Sequence, residues 1–147
     1  MPSPSAPPAA ILETALYAAD LDAAEGFYAG VLGLAKLVRA GDRHVFFRLD
    51  AAVLLVFNPA ATAHPPAPDA LPVPPHGATG PGHVAFAASA ADLDRWRARL
   101  EAAGVAIEAD FRWPGPDGTE GARSIYVRDP AGNSVEFAEP RLWGFAG

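Results

Sequence analysis

The sequence predicts an α+β fold of two successive βαβββ modules, which together form a curved mixed sheet with a central cleft. Three observations carry this. The order of motifs in residues 13–33 recurs in residues 83–104. Each copy opens on a short run of period-two apolar residues and passes into a run with helical spacing. Each is then followed by three further β-type runs separated by turn residues.

The elements follow in order. Residues 1–9 hold four prolines and no periodicity, so a disordered tail is expected there. Ile11 to Ala18 reads as a strand. Asp20 or Asp22 can cap the helix that follows, because a carboxylate accepts bonds from the free N–H groups of a first turn. Leu21, Ala24, Phe27, Tyr28, Val31 and Leu32 lie on one helical face, and Gly33 ends the helix. Lys36–Arg39, His44–Leu49 and Val53–Phe57 then form a meander. Between Asn58 and Gly82 lie eight of the sixteen prolines, which excludes a long regular element. The second copy gives a strand at His83–Ala88, a helix at Ala91–Ala103, and strands at Val105–Phe111, Ser124–Arg128 and Ser134–Ala138. Asp129-Pro130-Ala131-Gly132-Asn133 is a turn signal: proline presets one dihedral, and Gly or Asn accepts positive φ. The organisation is thus a tail over 1–9, a first module over 10–58, a linker loop over 59–82 and a second module over 83–140. An aromatic tail over 141–147 is expected to pack against something.

The chain has 147 residues, half of them hydrophobic and 19% charged, which is enough for one domain with its own core. A net charge of −6 with no basic cluster argues against nucleic acid or an anionic membrane as partner. There is no cysteine, so disulfides and thiolate metal sites are excluded. The first ten residues lack the pattern of a signal peptide, and a cytoplasmic protein is expected.

Strand alternation places Glu13, Ala15 and Tyr17 on one face, and His83, Ala85 and Ala87 on the matching face of the second copy. The opposite faces, with Leu12, Thr14, Leu16, Val84 and Phe86, look like core against the helices. Val135 and Phe137 are apolar, so Glu136 between them should share the concave side. Glu13, His83 and Glu136 are each unremarkable alone; at matching places in a repeat they form a candidate metal site. One imidazole and two carboxylates leave open positions on an octahedral ion. Such a set suits Mn²⁺ or Fe²⁺ first, with Ni²⁺, Zn²⁺ and Mg²⁺ as alternatives. His76 in the proline-rich loop is the candidate acid or base, since its ordinary pKa lies near neutrality. Ser124 and Tyr126 share a strand face. His44 beside Phe46 is a candidate for the concave side, or a plain strand histidine. Arg123 either holds a substrate carboxylate or lies on the surface. Trp113 and Trp143 either wall a pocket or pack at an interface.

Asp20-Leu21 with Phe27-Tyr28 and Val31-Leu32-Gly33-Leu34, then Gly82-His83-Val84-Ala85-Phe86, then Arg128-Asp129-Pro130-Ala131-Gly132-Asn133-Ser134-Val135-Glu136-Phe137 resemble the vicinal oxygen chelate superfamily over residues 11–140. That group holds glyoxalases, extradiol dioxygenases, fosfomycin-resistance enzymes and bleomycin-resistance proteins. The resemblance implies paired modules with a metal between them, often across a dimer. It makes His83 and Glu136 ligands, puts Glu13 where many relatives have His, and drops a fourth ligand position on Leu54 or Leu55, neither of which can bind a metal. Ser124 and Tyr126 resemble substrate contacts of the fosfomycin enzymes, but Ala15 stands where those carry a threonine.

Two functions follow as expectations. One is a divalent-metal enzyme on a small oxygenated substrate, either a lyase or isomerase or a ring-cleaving dioxygenase. The other is a metal-free protein that sequesters a small molecule. A homodimer is expected in either case, because one face of each module needs covering.

Overall fold

The computed structural model describes residues 6–146. The expected tail over residues 1–9 falls in part on residues 1–5, outside the described residues, and residues 6–12 carry no regular secondary structure. The first module runs β1 (Glu13–Tyr17), α1 (Leu21–Glu25), β2 (Ala35–Ala40), β3 (His44–Arg48) and β4 (Val53–Phe57). After the linker, whose one regular piece is α2 (Pro59–Thr62), the second module runs β5 (His83–Ala87), α3 (Ala90–Ala102), β6 (Ala109–Pro114), β7 (Glu120–Arg128) and β8 (Ser134–Ala138). Each module is one four-stranded mixed sheet. The orders are β1-β4-β3-β2 and β5-β8-β7-β6, with β1/β4 and β5/β8 parallel and the other pairs antiparallel.

Asp20 is the residue that caps α1, accepting from the Ala23 N–H at 3.0 Å. The helix widens into π turns over Gly26–Val31 and ends at Gly33, whose φ of +78° suits a residue without Cβ. Ser89 caps α3, accepting from the Asp92 N–H at 3.2 Å. In the linker, Asn58 caps the short α2 and Pro59 sits in its first turn, where a missing N–H costs nothing.

One expectation is corrected here. Residues Val105–Glu108 are not strand: Gly104 turns left-handed (φ +75°), and the Val105 N–H closes back on the Leu100 carbonyl at 2.9 Å, finishing α3. Val105 and Ile107 pack on the core as half-buried connector, and the strand runs later, to Pro114. The aromatic tail is tied to β7 through Arg141, which donates to the Gly121 carbonyl at 2.9 Å, while its rings stay open, Trp143 79% and Phe145 68% exposed.

The core is continuous across both modules. Leu16, Phe27, Tyr28, Phe47 and Val56 of the first join Leu93, Leu100, Val127, Val135 and Phe137 of the second. Trp96 of α3 lies 4.7 Å from Phe137 and nearly parallel to it, so the helix covers the face of β8 that carries Val135 and Phe137. The helix-bearing sides of the two sheets are therefore joined, and the other sides are left uncovered.

The turn after β7 bolts the modules together. Asp129 Oδ1 accepts the Ala131 and Asn133 N–H groups at 2.9 and 2.8 Å, which shapes the turn. Its Oδ2 accepts the Tyr28 hydroxyl at 2.7 Å from the first module, and the Asn133 amide at 2.9 Å. Asn133 Nδ2 also donates to the Tyr17 carbonyl at 3.1 Å, while its Oδ1 accepts the Gly82 N–H at 2.8 Å. All three side-chain owners are buried. Burial, followed by the Asp129 charge and hydrogen bond, pushes the Tyr28 pKa upward, so it stays a donor.

Candidate functional site

The residues singled out as ligands stand on the sheet faces turned away from the helices, Glu13 and His83 exposed and Glu136 buried at 5% exposure. On β5, His83, Ala85 and Ala87 are exposed, whereas Val84 and Phe86 are partly buried; on β1, Glu13 and Ala15 are exposed and Leu16 is buried. On β8, Val135 and Phe137 point into the core, and Glu136 takes the other side with Tyr126 opposite it on β7.

His83 and Glu136 come together. The β5/β8 register sets His83 against Ser134 and Ala85 against Glu136, so the small Ala85 leaves room beside the carboxylate. His83 Nδ1 lies 3.1 Å from the Ser134 carbonyl oxygen. A carbonyl only accepts, so Nδ1 carries the proton and Nε2 keeps its lone pair. That Nε2 lies 4.0 Å from Glu136 Oε1. Ligands at adjacent octahedral positions sit about 3 Å apart for bonds near 2.1 Å, so a small side-chain rotation would bring the two donors onto one ion. A main-chain acceptor that fixes the tautomer of a histidine is also the usual outer support of a metal ligand. The donor set therefore fits a divalent ion.

Glu13 does not join them. Among the described residues, no three His, Asp or Glu side chains gather to hold a metal. The physical reason is the shared core: it holds the two helix-bearing sides together, so the ligand faces of the two sheets belong to different surfaces of one chain. Of the two leucines in the fourth position, the structure selects Leu55. It pairs with Ala15 on the ligand face, while Leu54 is buried on the other side.

Around His83 the second sheet carries a row of rings. Tyr126 lies 6.2 Å from His83 with planes 19° apart, and 5.8 Å from Phe111 with planes 4° apart. Phe111 meets Trp113 at 5.0 Å. Trp113 Nε1 donates to Ser124 Oγ at 2.9 Å, and Ser124 is fully buried beneath the rings. Burial, then the hydrogen bond and charge of Glu136, push the Tyr126 pKa up to about 12, partly offset by Ser124.

Arg123 is turned away. It neighbours Ser124 along β7 and so takes the opposite face, where Asp110 accepts its Nε and Nη2 at 2.7 Å each and Asp94 accepts Nη1 at 2.7 Å. Its charge is spent inside the protein, and it has no place in the cleft. Trp143 is exposed on the tail.

His76 reaches the first sheet instead of His83. Its Nδ1 lies 2.7 Å from the Tyr17 hydroxyl, and its ring meets Phe57 edge-on at 4.5 Å. Tyr17 is four residues along β1 from Glu13, about 13 Å at the usual strand rise. His44 stacks on Phe46 at 4.2 Å. Arg43 Nη1 lies 2.7 Å from His44 Nδ1, and a guanidinium only donates, so the neutral ring presents its Nε2–H. Burial, followed by the Arg43 charge, lowers the His44 pKa.

Sequence reasoning passed over Phe111 as part of the ring row. Phe111 and Trp113 two residues apart were signal enough, but ending the strand at residue 111 hid the pairing. The part of the Ser134 carbonyl is set by register alone.

Two βαβββ sheets, with a histidine on the first strand of the second and a carboxylate facing it from the last, define a class of paired-module folds. The family model of the Glyoxalase/Bleomycin resistance protein/Dioxygenase superfamily matches residues 10–137, and the chain belongs to that superfamily. A crystal structure of lactoylglutathione lyase from Agrobacterium tumefaciens is 48% identical, with a TM-score of 0.86 over 95% of this chain and all of that one. A glyoxalase/dioxygenase from Nostoc punctiforme is 25% identical, with a TM-score of 0.61 over 92% of this chain and 97% of the other. TioX from Micromonospora sp. ML1 is likewise 25% identical, with a TM-score of 0.64 over 89% and 98%. A search of curated proteins found no match.

Proposed function

We propose that this chain is a divalent-metal-dependent enzyme, of lyase or isomerase type, acting on a small oxygenated molecule in a cup shared by two copies. The observation that carries the reading is His83, with its tautomer held by the Ser134 carbonyl and its Nε2 facing Glu136. Glu13 of a second copy supplies the third ligand. This completes two sites per dimer and covers the faces that one chain leaves open. A bound ion supplies Lewis acidity toward two adjacent substrate oxygens.

The chain's own residues then divide the work. His83 and Glu136 would hold the ion on the second sheet, and the rings of Phe111 and Trp113 exclude water beside it. On the first sheet, the Tyr17–His76 pair holds a proton at the end of the cup away from Glu13. Leu55, at the fourth position, has no donor atom and would hold no ion. The lyase reading is supported by the relative named lactoylglutathione lyase. The ring row favours a second reading, sequestration of a planar molecule without chemistry.

Metal content separates the two. Under the enzyme reading, protein purified without chelator holds Mn, Fe, Ni or Zn near one per chain. His83→Ala and Glu136→Ala each lower that at least tenfold. Wild-type protein that takes up no metal after reconstitution overturns the reading.

A further inference from the structure

We infer that the ligand of this cup carries a planar aromatic body with no negative charge on it, which lies against the rings of the second sheet. The inference rests on the reading that the uncovered faces form the binding cup, and it names what that cup takes.

The second sheet sets the rings out in a row across its strands β5, β7 and β6. Tyr126 on β7 and Phe111 on β6 are parallel within 4°, and the His83 ring on β5 is within 19° of Tyr126. Phe111 is 41% exposed on that face, a large apolar ring that its neighbours Tyr126 and Trp113 cover only in part. The bond from Trp113 Nε1 to the buried Ser124 hydroxyl removes the polar edge of the indole from competition and fixes its orientation. Rings fixed before a ligand arrives lose little freedom on binding, which favours a rigid, flat partner.

Charge points the same way. The second module contains no lysine. Each of its arginines, and Arg141 just beyond it, is held by a carboxylate or a main-chain carbonyl. Apart from an ion held at His83 and Glu136, an anionic group lying on this sheet would meet no free cation, and Glu136 without that ion would repel it. In the first module Arg48 has no carboxylate partner among the described residues, but its register with Val53, which pairs with Glu13, puts it in the Glu13 row. Among the described residues, a tripeptide adduct with two carboxylates finds unpaired cations on the first module, at Arg48 and at Arg43 beside His44, and none beside the rings.

The test uses three probes on the purified protein, metal-free and metal-loaded, by calorimetric titration. 2-Naphthol is flat and neutral at pH 7, 2-decalol is its saturated and non-planar counterpart, and S-lactoylglutathione is anionic without an aromatic ring. The inference expects 2-naphthol to bind about tenfold or more tighter than either of the others, with or without metal. Phe111→Ala should weaken it about fivefold, on the scale of one lost aromatic contact. Trp113→Phe, which keeps a ring but loses the Ser124 bond, should weaken it less. S-Lactoylglutathione binding as tightly as 2-naphthol overturns the inference, and so does an unchanged affinity in a folded Phe111→Ala protein. The metal experiment fails independently: a protein that takes no metal yet prefers 2-naphthol keeps this inference and loses the enzyme reading.

Discussion

Replacing Asn133 by alanine removes three hydrogen bonds with one substitution, and they join three separate parts of the chain. The side chain is 2% exposed and holds the Gly82 N–H, the Tyr17 carbonyl and Asp129 Oδ2 at 2.8, 3.1 and 2.9 Å. A net hydrogen bond contributes about 1 kcal/mol, and a buried group left without its partner costs about 1–3 kcal/mol. The Gly82 N–H and Tyr17 carbonyl lie near the surface of the turn and are partly rescued by water. The Asp129 carboxylate keeps Tyr28 and two main-chain donors. The sum is about 4 kcal/mol. With a urea slope of about 2 kcal/mol/M for a domain of this size, the midpoint falls by about 2 M. Urea titration followed by circular dichroism reads this directly. Tyr28→Phe serves as the internal scale: one bond lost, the ring kept, and about 1–2 kcal/mol expected. An Asn133→Ala loss below 1 kcal/mol, or one smaller than that of Tyr28→Phe, refutes the view that this turn bolts the modules together.

Further outcomes follow from the same structure. The Arg123 guanidinium hydrogen-bonded to Asp110 holds that carboxyl down at about 2, against an ordinary 3.8, with Arg97 adding to the effect. The folded value is the lower one, so this stabilisation is present above pH 4 and is lost as pH falls toward 2. After allowance for partial solvent screening it amounts to about 1–2 kcal/mol, and Asp110→Asn should flatten the stability–pH curve over that window. Phe137 is 1% exposed between Trp96 and Phe86, so Phe137→Ala should cost about 3–5 kcal/mol in the same urea assay. Gly33→Ala pairs a φ of +78° with a Cβ placed 2.9 Å from Arg99 Nη2, and should lower stability by about 1–2 kcal/mol.

What could be read from sequence divides by range. Strands β4 and β8 are legible because apolar side chains alternate or run unbroken between clear turn residues, and face assignment on β1, β5 and β8 follows from alternation alone. Val105 and Ile107 misled because a half-buried connector packed on the core carries the same pattern as a strand. Arg123 shows a rule available but not applied: a neighbour of Ser124 must face the other way. The Asp129–Asn133 turn was legible as a turn, but its work across the modules was not. Its partners Tyr28 and Tyr17 lie 101 and 116 residues from the side chains they meet. The pairing of His83 with Glu136 likewise depends on a parallel register between strands 51 residues apart, and the separation of Glu13 depends on which sides of the sheets share the core.

The measurement that tests the account most directly is the metal content of a mixture of Glu13→Ala and His83→Ala chains, unfolded together and refolded. Each variant alone is expected to be empty. In a cup shared between copies, mixed dimers hold one intact site, formed by Glu13 of one chain with His83 and Glu136 of the other. Random pairing then restores about a quarter of the wild-type metal. A mixture as empty as its parents, beside a wild-type protein that does hold metal, contradicts the shared site; a wild-type protein that holds none contradicts the metal centre itself.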